Sequence, residues 1–316
     1  MSAFPALYRH ILYRLYRLRR LIACSVLVVV AGAALSWGVA PSLSLFGDPA
    51  NLLALMLFWT AIVALSAVMF PTGWIDTLTA SIAFALLLTA TPYLQLAIAG
   101  VEPGGTGISQ GMAVMLIFLA WFLLWLLVMA VFIAGGTAMT MRRRPGRHRT
   151  VISTDLGPDE VRRALCPLPG TELAGRICGP EDGKGFFPVR FTIPGGDRLR
   201  LTGFDPDQIH WVRILQEDHL TRQSEAITVH DGRKTRCEMF ERLQPVDGGT
   251  QYELVEVHDQ FNLLSAIGFW INDFGADHAR TYLDAVRGRK SCAIFSRPRW
   301  SPVGALSRLF TRPGQP

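Results

Sequence analysis

The chain has 316 residues, of which 50% are hydrophobic and 18% are charged, and its formal net charge is +6. The charges are spread unevenly: residues 21–141 contain no Lys or Arg, whereas the sequence after residue 150 has the composition of a water-soluble protein. This distribution excludes a protein that lies wholly in water or wholly in a membrane. We therefore predict two parts, one dissolved in lipid and one in water.

Residues 1–20 form a basic, amphipathic segment that precedes the first apolar stretch. Its apolar side chains recur at helical spacing, with Arg and Tyr between them: Phe4, Leu7, Ile11, Leu15 and Leu18. The pattern predicts a helix lying in the cytoplasmic interface of a membrane. A plain extension of the first membrane helix fits the pattern equally well.

Residues 21–140 resolve into four apolar stretches of about 20 residues or more, the length that a helix needs to cross a bilayer. We predict membrane helices at residues 21–40, 51–70, 75–99 and 111–139. No ionisable side chain lies in the middle of a stretch, and such charges usually mark ion or proton pathways. The Ser and Thr side chains are expected to bond to the backbone or between helices. The pattern favours an anchor or an oligomerising bundle over a transporter.

Arginines flank the first and last stretches and predict the orientation of the chain. Five precede residue 21, and five follow residue 140, whereas the loops at 41–50 and 100–110 contain no basic residue. Because Lys and Arg near membrane helices stay on the cytoplasmic side, both termini are predicted to be cytoplasmic. We expect an integral membrane protein, located in the plasma membrane or, in a bacterium, the inner membrane.

Residues 141–149, MRRRPGRHR, are interpreted as a basic juxtamembrane linker. Read alone, the block is typical of nucleic-acid binding, but directly after an apolar stretch it is better explained by contact with anionic lipid. Pro145 and Gly146 are expected to break the helix and act as a hinge. The predicted membrane-surface residues are Arg142, Arg143, Arg144, Arg147 and Arg149.

Residues 150–288 are predicted to form an α+β domain. The sequence suggests a strand at 150–156, a short helix beginning at Pro158, a Pro- and Gly-rich loop over 166–185, and one long helix over 263–286. Alternating patterns between clear turns predict further strands at 185–194, 198–204, 208–215, 224–230, 235–243 and 250–258. The last three strands are expected to form an antiparallel meander.

This order of elements resembles the START-like (SRPBCC) helix-grip family. The resemblance is carried by TVISTDLGPDEVRRAL, CEMFERLQPVDGGTQYELVEVHDQF and GADHARTYLDAVRGR, which are fold patterns rather than catalytic signatures. It implies a curved antiparallel sheet wrapped around a long C-terminal helix, with a cavity between them for a hydrophobic ligand such as a lipid, sterol, quinone or polyketide. It covers roughly residues 150–288, and the membrane part resembles no family that we recognise.

The predicted sheet and helix offer candidate residues for such a cavity. The predicted apolar contacts are Phe187, Phe191, Trp211, Met239, Tyr252, Trp270 and Phe274. Polar groups on the same strand faces, Glu241, Glu256 and His258, are candidates for orienting a ligand. Core packing is the competing interpretation of each apolar residue. A register slip of one residue would exchange the two faces of a strand.

No sequence pattern identifies an enzyme, a cofactor site or a metal site. GPEDGKG lacks the spacing and the Ser or Thr of a phosphate-binding loop. None of the five cysteines forms a CxxC pair or stands at zinc-like spacing from a histidine, so we predict no metal and no cofactor. Residues 289–316 carry six basic residues and no acidic one, and are predicted to form a flexible tail near the membrane.

Three functions remain open at this point. The leading hypothesis is a membrane-anchored cytoplasmic START-like domain that binds or handles a hydrophobic ligand at the membrane surface. The second is a membrane assembly or regulatory protein whose soluble domain docks a protein partner. The third is a cyclase- or hydrolase-like enzyme whose site the sequence does not identify. The expected partners are membrane lipids, a hydrophobic small molecule, and a protein partner or further copies of the chain in a homo-oligomer, and nucleic acid is disfavoured.

Overall fold

The computed structural model describes residues 3–42, 44–99, 110–139, 144–191, 209–230, 233–261 and 263–294. These residues form eight α-helices and eight strands. The helices are α1 Ala3–Arg17, α2 Arg19–Val39, α3 Pro49–Met69, α4 Trp74–Ala99, α5 Gln110–Met139, α6 Pro158–Leu165, α7 Leu263–Ile271 and α8 Phe274–Val286. The strands are β1 Arg144–Thr154, β2 Glu172–Leu173, β3 Arg176–Cys178, β4 Phe186–Phe191, β5 His210–Glu217, β6 Thr221–His230, β7 Arg233–Val246 and β8 Gly249–Phe261.

The chain divides into two compact units, and the division does not follow chain order. One unit is Leu18–Gly135, and the other combines Met1–Arg17 with Gly136–Pro316. The first contains the apolar helices α2 to α5. The second contains the sheet together with the helix at the start of the chain.

Four helices of the first unit are long and apolar enough to cross a membrane. The helices begin one or two residues before the predicted stretches, and α4 continues through Pro92 to Ala99. Many large apolar side chains of these helices are exposed, which is the surface expected of helices surrounded by lipid. Asp48 accepts a hydrogen bond from the Ala50 amide and caps α3, where Pro49 occupies the first helical position.

Small and hydroxyl-bearing residues fill the contact between α2 and α4. Gly32 lies so close to Ala85 that a Cβ built on it would be 2.6 Å from the Ala85 carbonyl oxygen. The Thr89 hydroxyl donates to the carbonyl oxygens of Gly32 and Ala85. Ser81 accepts a bond from the Trp59 indole across the helices. Close backbone approach with hydroxyl bonds between helices is a common packing mode in membranes.

Replacing Gly32 with Ala is expected to destabilise this unit by about 1–3 kcal/mol, because α2 and α4 must separate to admit the methyl group. Gly38 of the same helix has nothing within 4 Å of an added Cβ and serves as the matched control. Gly38→Ala should leave stability unchanged or raise it, since Ala is the better helix former. Helical circular dichroism of the full chain, heated in mild detergent, measures both. Equal unfolding temperatures for the two variants would contradict the close contact.

The second unit is built on an eight-stranded antiparallel sheet in the order β1-β8-β7-β6-β5-β4-β3-β2. The predicted meander is present as β6, β7 and β8, and the β7–β8 hairpin turns through Asp247 and Gly248, whose φ of 80° favours glycine. An antiparallel sheet followed by C-terminal helices agrees with the predicted α+β class. The strand predicted at 198–204 lies outside the described residues.

Two segments predicted to be irregular belong to the sheet. β1 begins at Arg144, so most of the predicted linker is strand, and Pro145 and Gly146 lie at an irregularity in its pairing with β8 rather than at a hinge. The segment was predicted to be a linker because it is rich in charged side chains, but the outward face of an edge strand can also carry charged side chains. The predicted loop over 166–185 contains β2 and β3, which pair with each other and with β4.

The predicted single C-terminal helix is two helices. α7 ends at Ile271, and Asp273 adopts a left-handed conformation with φ 48° before α8 begins at Phe274. A non-glycine residue in this region interrupts a right-handed helix. Because of this break, residues of α7 and α8 do not share the faces that one continuous helix would give them. Tyr282 and Leu283 of α8 pack with Leu243, Tyr252 and α6 in the main core of the unit.

The N-terminal helix α1 buries polar and charged side chains, while Leu7, Ile11 and Leu15 of the predicted apolar face are half-buried. His10, Arg14 and Arg17 are buried, whereas Tyr8, Leu12 and Tyr16 are exposed. Arg17 donates to the Asp273 carboxylate at 2.7 Å, and the Tyr13 hydroxyl donates to Asp277 Oδ1 at 2.8 Å. The helix is therefore an element of the second unit and not an apolar segment of the first.

The start of the predicted flexible tail is also packed. Residues 291–294 are buried, and the Ile294 amide donates to Asp277 Oδ1 at 3.1 Å. The rest of the tail, residues 295–316, lies outside the described part of the chain.

Candidate functional site

The second unit contains a cavity of about 370 Å³. Its floor is the face of strands β5 to β8 that bears Val212, Ala226 and Met239, and side chains of α7 and α8 form the opposite wall. The volume falls in the range of small-molecule sites. Gly275 of α8 lies against Thr150 of β1 at the cavity wall, where a side chain would overlap the threonine.

Most of the lining is apolar or aromatic. Three polar clusters are described below, and Arg176, Arg236, Gln260 and three threonines complete the polar lining. The apolar lining consists of Leu165, Pro167, Val189, Phe191, Val212, Ala226, Met239, Leu254, Phe269, Phe274 and Ala279. This combination, an apolar surface with a few convergent polar groups, is typical of pockets that bind hydrophobic molecules and orient them.

The first polar cluster is a buried ion pair with a phenol. The Tyr252 hydroxyl donates to Glu241 Oε1 at 2.8 Å, and Arg222 Nε lies 3.4 Å from Glu241 Oε2. Arg222 also donates to the Pro167 carbonyl oxygen at 2.7 Å. Burial and the negative charge of Glu241 raise the pKa of Tyr252 well above its usual value, so the phenol stays a neutral donor. One carboxylate oxygen of Glu241 therefore accepts a hydrogen bond, and the other faces the Arg222 guanidinium without one.

The second cluster is aromatic and centred on two histidines. The Phe191 ring makes edge contacts with His210 at 5.5 Å and with His278 at 5.4 Å between centroids. Burial lowers the pKa of His210 to about 4. Burial, followed by the charge of Arg176 and by His210, lowers the pKa of His278 to about 3. Both rings are therefore neutral at pH 7 and can each donate and accept one hydrogen bond.

The third cluster contains Cys237 of β7 with Glu256 and His258 of β8. Cys237 and His258 are cross-strand partners, and Cys237 Sγ lies 3.7 Å from His258 Nε2. Burial, and then the charge of Glu241, raises the pKa of Glu256 to about 7. Burial and then Glu256 also raise the pKa of Cys237. Burial and the neighbouring His148 lower the pKa of His258.

Seven of the predicted pocket residues lie together at this cavity. The apolar members are Phe191, Met239, Tyr252 and Phe274, and the polar members are Glu241, Glu256 and His258. Strand alternation explains the grouping, since Met239 and Glu241 are two residues apart on β7, and Glu256 and His258 are two apart on β8.

Three predicted pocket residues lie elsewhere. Phe187 is buried in a core cluster with Val189 and Val212, which line the cavity, but Phe187 itself does not line it. Trp211 is 39% exposed, because alternation along β5 turns its neighbours His210 and Val212 inward. Trp270 is 48% exposed. The break at Asp273 places it on a different helix from Phe274, so the two residues do not share the face that one continuous helix would give them.

Several cavity residues were not predicted. His278 and Tyr282 follow the predicted Phe274 at intervals of four residues along α8 and share its face, a pattern that becomes readable once α8 is known to start at Phe274. Adjacent Asp277 points away from the cavity toward α1. Arg176, whose guanidinium lies 4.6 Å from the Tyr282 ring centroid, is on the short strand β3 in a predicted loop, so sequence periodicity gave no signal for it.

The predicted membrane-surface arginines have different environments. Arg147 is exposed on β1, and Arg149, also largely exposed, donates to Glu253 of β8 at 2.6 Å. Arg144 is the first residue of β1, and Arg142 and Arg143 lie outside the described residues. Their contact with lipid stays a prediction.

The solved structures with weak similarity to this chain include the following two. A putative uncharacterized protein from Rhizobium leguminosarum is 12% identical, with a TM-score of 0.29, and the match covers 45% of this chain and 97% of that one. Ara h 8.0201 is 11% identical, with a TM-score of 0.30, and the match covers 46% of this chain and 100% of that one. No known family profile and no curated protein matches the sequence.

Proposed function

We propose that this chain is a membrane-anchored START-like protein whose soluble domain binds or handles a hydrophobic ligand, such as a lipid or quinone, at the membrane surface. The observation that carries the proposal is the cavity of about 370 Å³, with its mostly apolar lining and a few polar groups. A cavity of this size in a sheet-and-helix unit is more than core packing requires, since protein interiors contain few voids larger than a water molecule.

The polar clusters suit a ligand with an uncharged polar head. Tyr252 is neutral and its hydroxyl proton is already donated to Glu241, so its oxygen can accept a further bond, and His210 and His278 are neutral at pH 7. A neutral carbonyl, hydroxyl or quinone oxygen can accept or donate bonds there without the cost of burying a charge. Apolar side chains would hold the remainder of the molecule.

The four apolar helices support the membrane part of the proposal. The arginine-rich flanks at residues 9–20 and 142–149 favour a cytoplasmic location for the sheet-containing unit. Anchoring keeps the domain near the membrane that supplies its ligand, which raises the effective concentration of the ligand at the domain.

Filling the cavity tests the proposal. Ala226 lines the cavity from β6, and we expect Ala226→Trp to abolish binding of a hydrophobic compound that co-purifies with the wild-type chain. The full chain is purified in polymer-bounded lipid discs, and bound compounds are extracted and quantified by mass spectrometry. The wild type should carry about one molecule of a specific compound per chain above the bulk lipid composition.

Val229→Trp is the matched control, because Val229 lies on the same strand, is exposed, and does not line the cavity. It should retain the compound. Identical extracts from wild type and Ala226→Trp, with circular dichroism spectra that show both folded, would overturn the proposal. No specific compound in the wild-type extract would overturn it as well.

A further inference from the structure

Three side chains that commonly bind metal ions meet at one end of the cavity. Cys237, Glu256 and His258 each offer one ligand atom, and these three atoms all lie within 4.8 Å of one another. The residues are fixed by the sheet: Cys237 pairs with His258, and Glu256 pairs with Met239, the second residue after Cys237. All three line the cavity.

The sulfur–nitrogen distance matches that of a metal-bound pair. Zinc binds sulfur at about 2.3 Å and imidazole nitrogen at about 2.0–2.1 Å in tetrahedral geometry, which places the two ligand atoms about 3.6 Å apart. Cys237 Sγ and His258 Nε2 are 3.7 Å apart. An ion could therefore bind both atoms with almost no change in either strand.

Glu256 supplies the third ligand and leaves the fourth position open. Its carboxylate lies within the same 4.8 Å and reaches an ion at the Cys237–His258 pair by rotation of a flexible side chain. A mixed sulfur, nitrogen and oxygen set favours zinc and chemically similar ions over magnesium or calcium, which prefer oxygen ligands alone. Three protein ligands with one open position are the arrangement of zinc sites that bind a further molecule.

We propose that Cys237, Glu256 and His258 bind a divalent ion of the zinc type, with the fourth coordination position facing the cavity. Binding replaces the thiol proton of Cys237 by a sulfur–metal bond, and Glu256 binds as the carboxylate, so the thiol proton and any proton on Glu256 are released to solvent. The open position takes water or an oxygen atom of a molecule in the cavity. The metal site does not depend on the proposed hydrophobic ligand, because the three residues alone supply the ligand atoms.

Cobalt is the probe for this site. The full chain is purified in detergent, stripped with a chelator and titrated with Co²⁺ while its absorption spectrum is recorded. We expect one equivalent to produce a thiolate-to-cobalt charge-transfer band in the near ultraviolet, together with the intense visible bands of four-coordinate cobalt. Cys237→Ser should lose the charge-transfer band, and His258→Ala should lose the visible bands.

Two cysteine controls make the assignment specific. Cys292→Ser removes the other cysteine found near a histidine in the described chain, with its sulfur 4.0 Å from His10 Nε2, and Cys24→Ser removes the thiol of α2. Both variants should give the wild-type spectrum. The absence of a charge-transfer band in the wild type, or its persistence in Cys237→Ser, would overturn the proposal.

A second measurement uses only the wild-type chain and therefore does not depend on whether the variants fold. In the wild-type chain, Zn²⁺ should protect Cys237 from alkylation by iodoacetamide, as measured by mass spectrometry of its peptide, and should leave Cys24 alkylation unchanged. Equal alkylation of Cys237 with and without Zn²⁺ would contradict metal binding. The extraction of hydrophobic compounds is a separate measurement, so failure of one proposal is distinguishable from failure of the other.

Discussion

Replacing Asp277 with Ala is expected to release helix α1 from the second unit at a cost of about 3–5 kcal/mol, the effect of removing one partner from a buried charge network. Asp277 Oδ1 accepts bonds from the Tyr13 hydroxyl and the Ile294 amide and lies 3.6 Å from Arg17 Nε. Arg14 is 1% exposed, and although burial lowers its pKa to about 10, it remains charged at pH 7. Without Asp277, these cations lose a buried counter-charge.

Trypsin cleavage of the full chain measures this release. Arg14 and Arg17 are buried, so trypsin reaches them only after α1 has left the unit. Asp277→Ala should accelerate cleavage at Arg14 and Arg17 by about a hundredfold to several thousandfold, since each step of about 1.4 kcal/mol corresponds to a factor of ten. Asp247→Asn, in the exposed β7–β8 turn, is the control and should cleave like the wild type. If Asp277→Ala also cleaved like the wild type, the packing of α1 described above would be wrong.

Replacing His278 with Phe is expected to reduce the acid sensitivity of the second unit. The pKa of His278 is about 3 in the folded chain and about 6.5 when unfolded. Between these values the unfolded chain binds a proton that the folded chain does not, so stability is full above pH 6.5 and falls as the pH drops toward 3. The total loss in the free energy of unfolding that arises from His278 is about 5 kcal/mol, at about 1.4 kcal/mol per pH unit.

Amide hydrogen exchange in β7 and β8, corrected for the intrinsic effect of pH, reports this stability in the full chain. Between pH 4 and 6 the wild type should lose about 1.4 kcal/mol per pH unit more than His278→Phe, which keeps an aromatic ring against Phe191 and Tyr282. His219→Phe, in an exposed turn, should follow the wild-type slope. Parallel slopes for wild type and His278→Phe would show that His278 is accessible to protons in the fold.

Most of the fold could be predicted because its signals are local. Apolar length located the four membrane-type helices, and alternation with the Asp247-Gly248 turn located β7 and β8. The errors arose where tertiary contacts outweigh local pattern. β1 includes Arg144 to Arg149 because β8 supplies its hydrogen bonds, and α1 buries Arg14 and Arg17 because acidic residues of the second unit compensate their charge.

The candidate site was predictable only where strand alternation determines the face of the sheet on which a side chain lies. Glu241, Glu256 and His258 follow from the strands on which they lie. Trp270 could not be placed correctly without the break at Asp273, whose backbone conformation no periodicity reveals. The Cys237–His258 contact joins residues 21 apart, so it depends on strand register rather than on spacing along the sequence.

The packing of α1 also constrains how the protein can be made. Tyr13 and Asp277 are 264 residues apart in sequence, so the first helix to leave the ribosome acquires its partner near the end of synthesis. At roughly 5–20 residues per second, this interval lasts on the order of 10–50 s. During that time the apolar helices between them are synthesised, and the arginines of α1 remain without their acidic partners. Nascent chains truncated before residue 277 should therefore expose Arg14 and Arg17, so the second unit matures only after translation has passed its last helix.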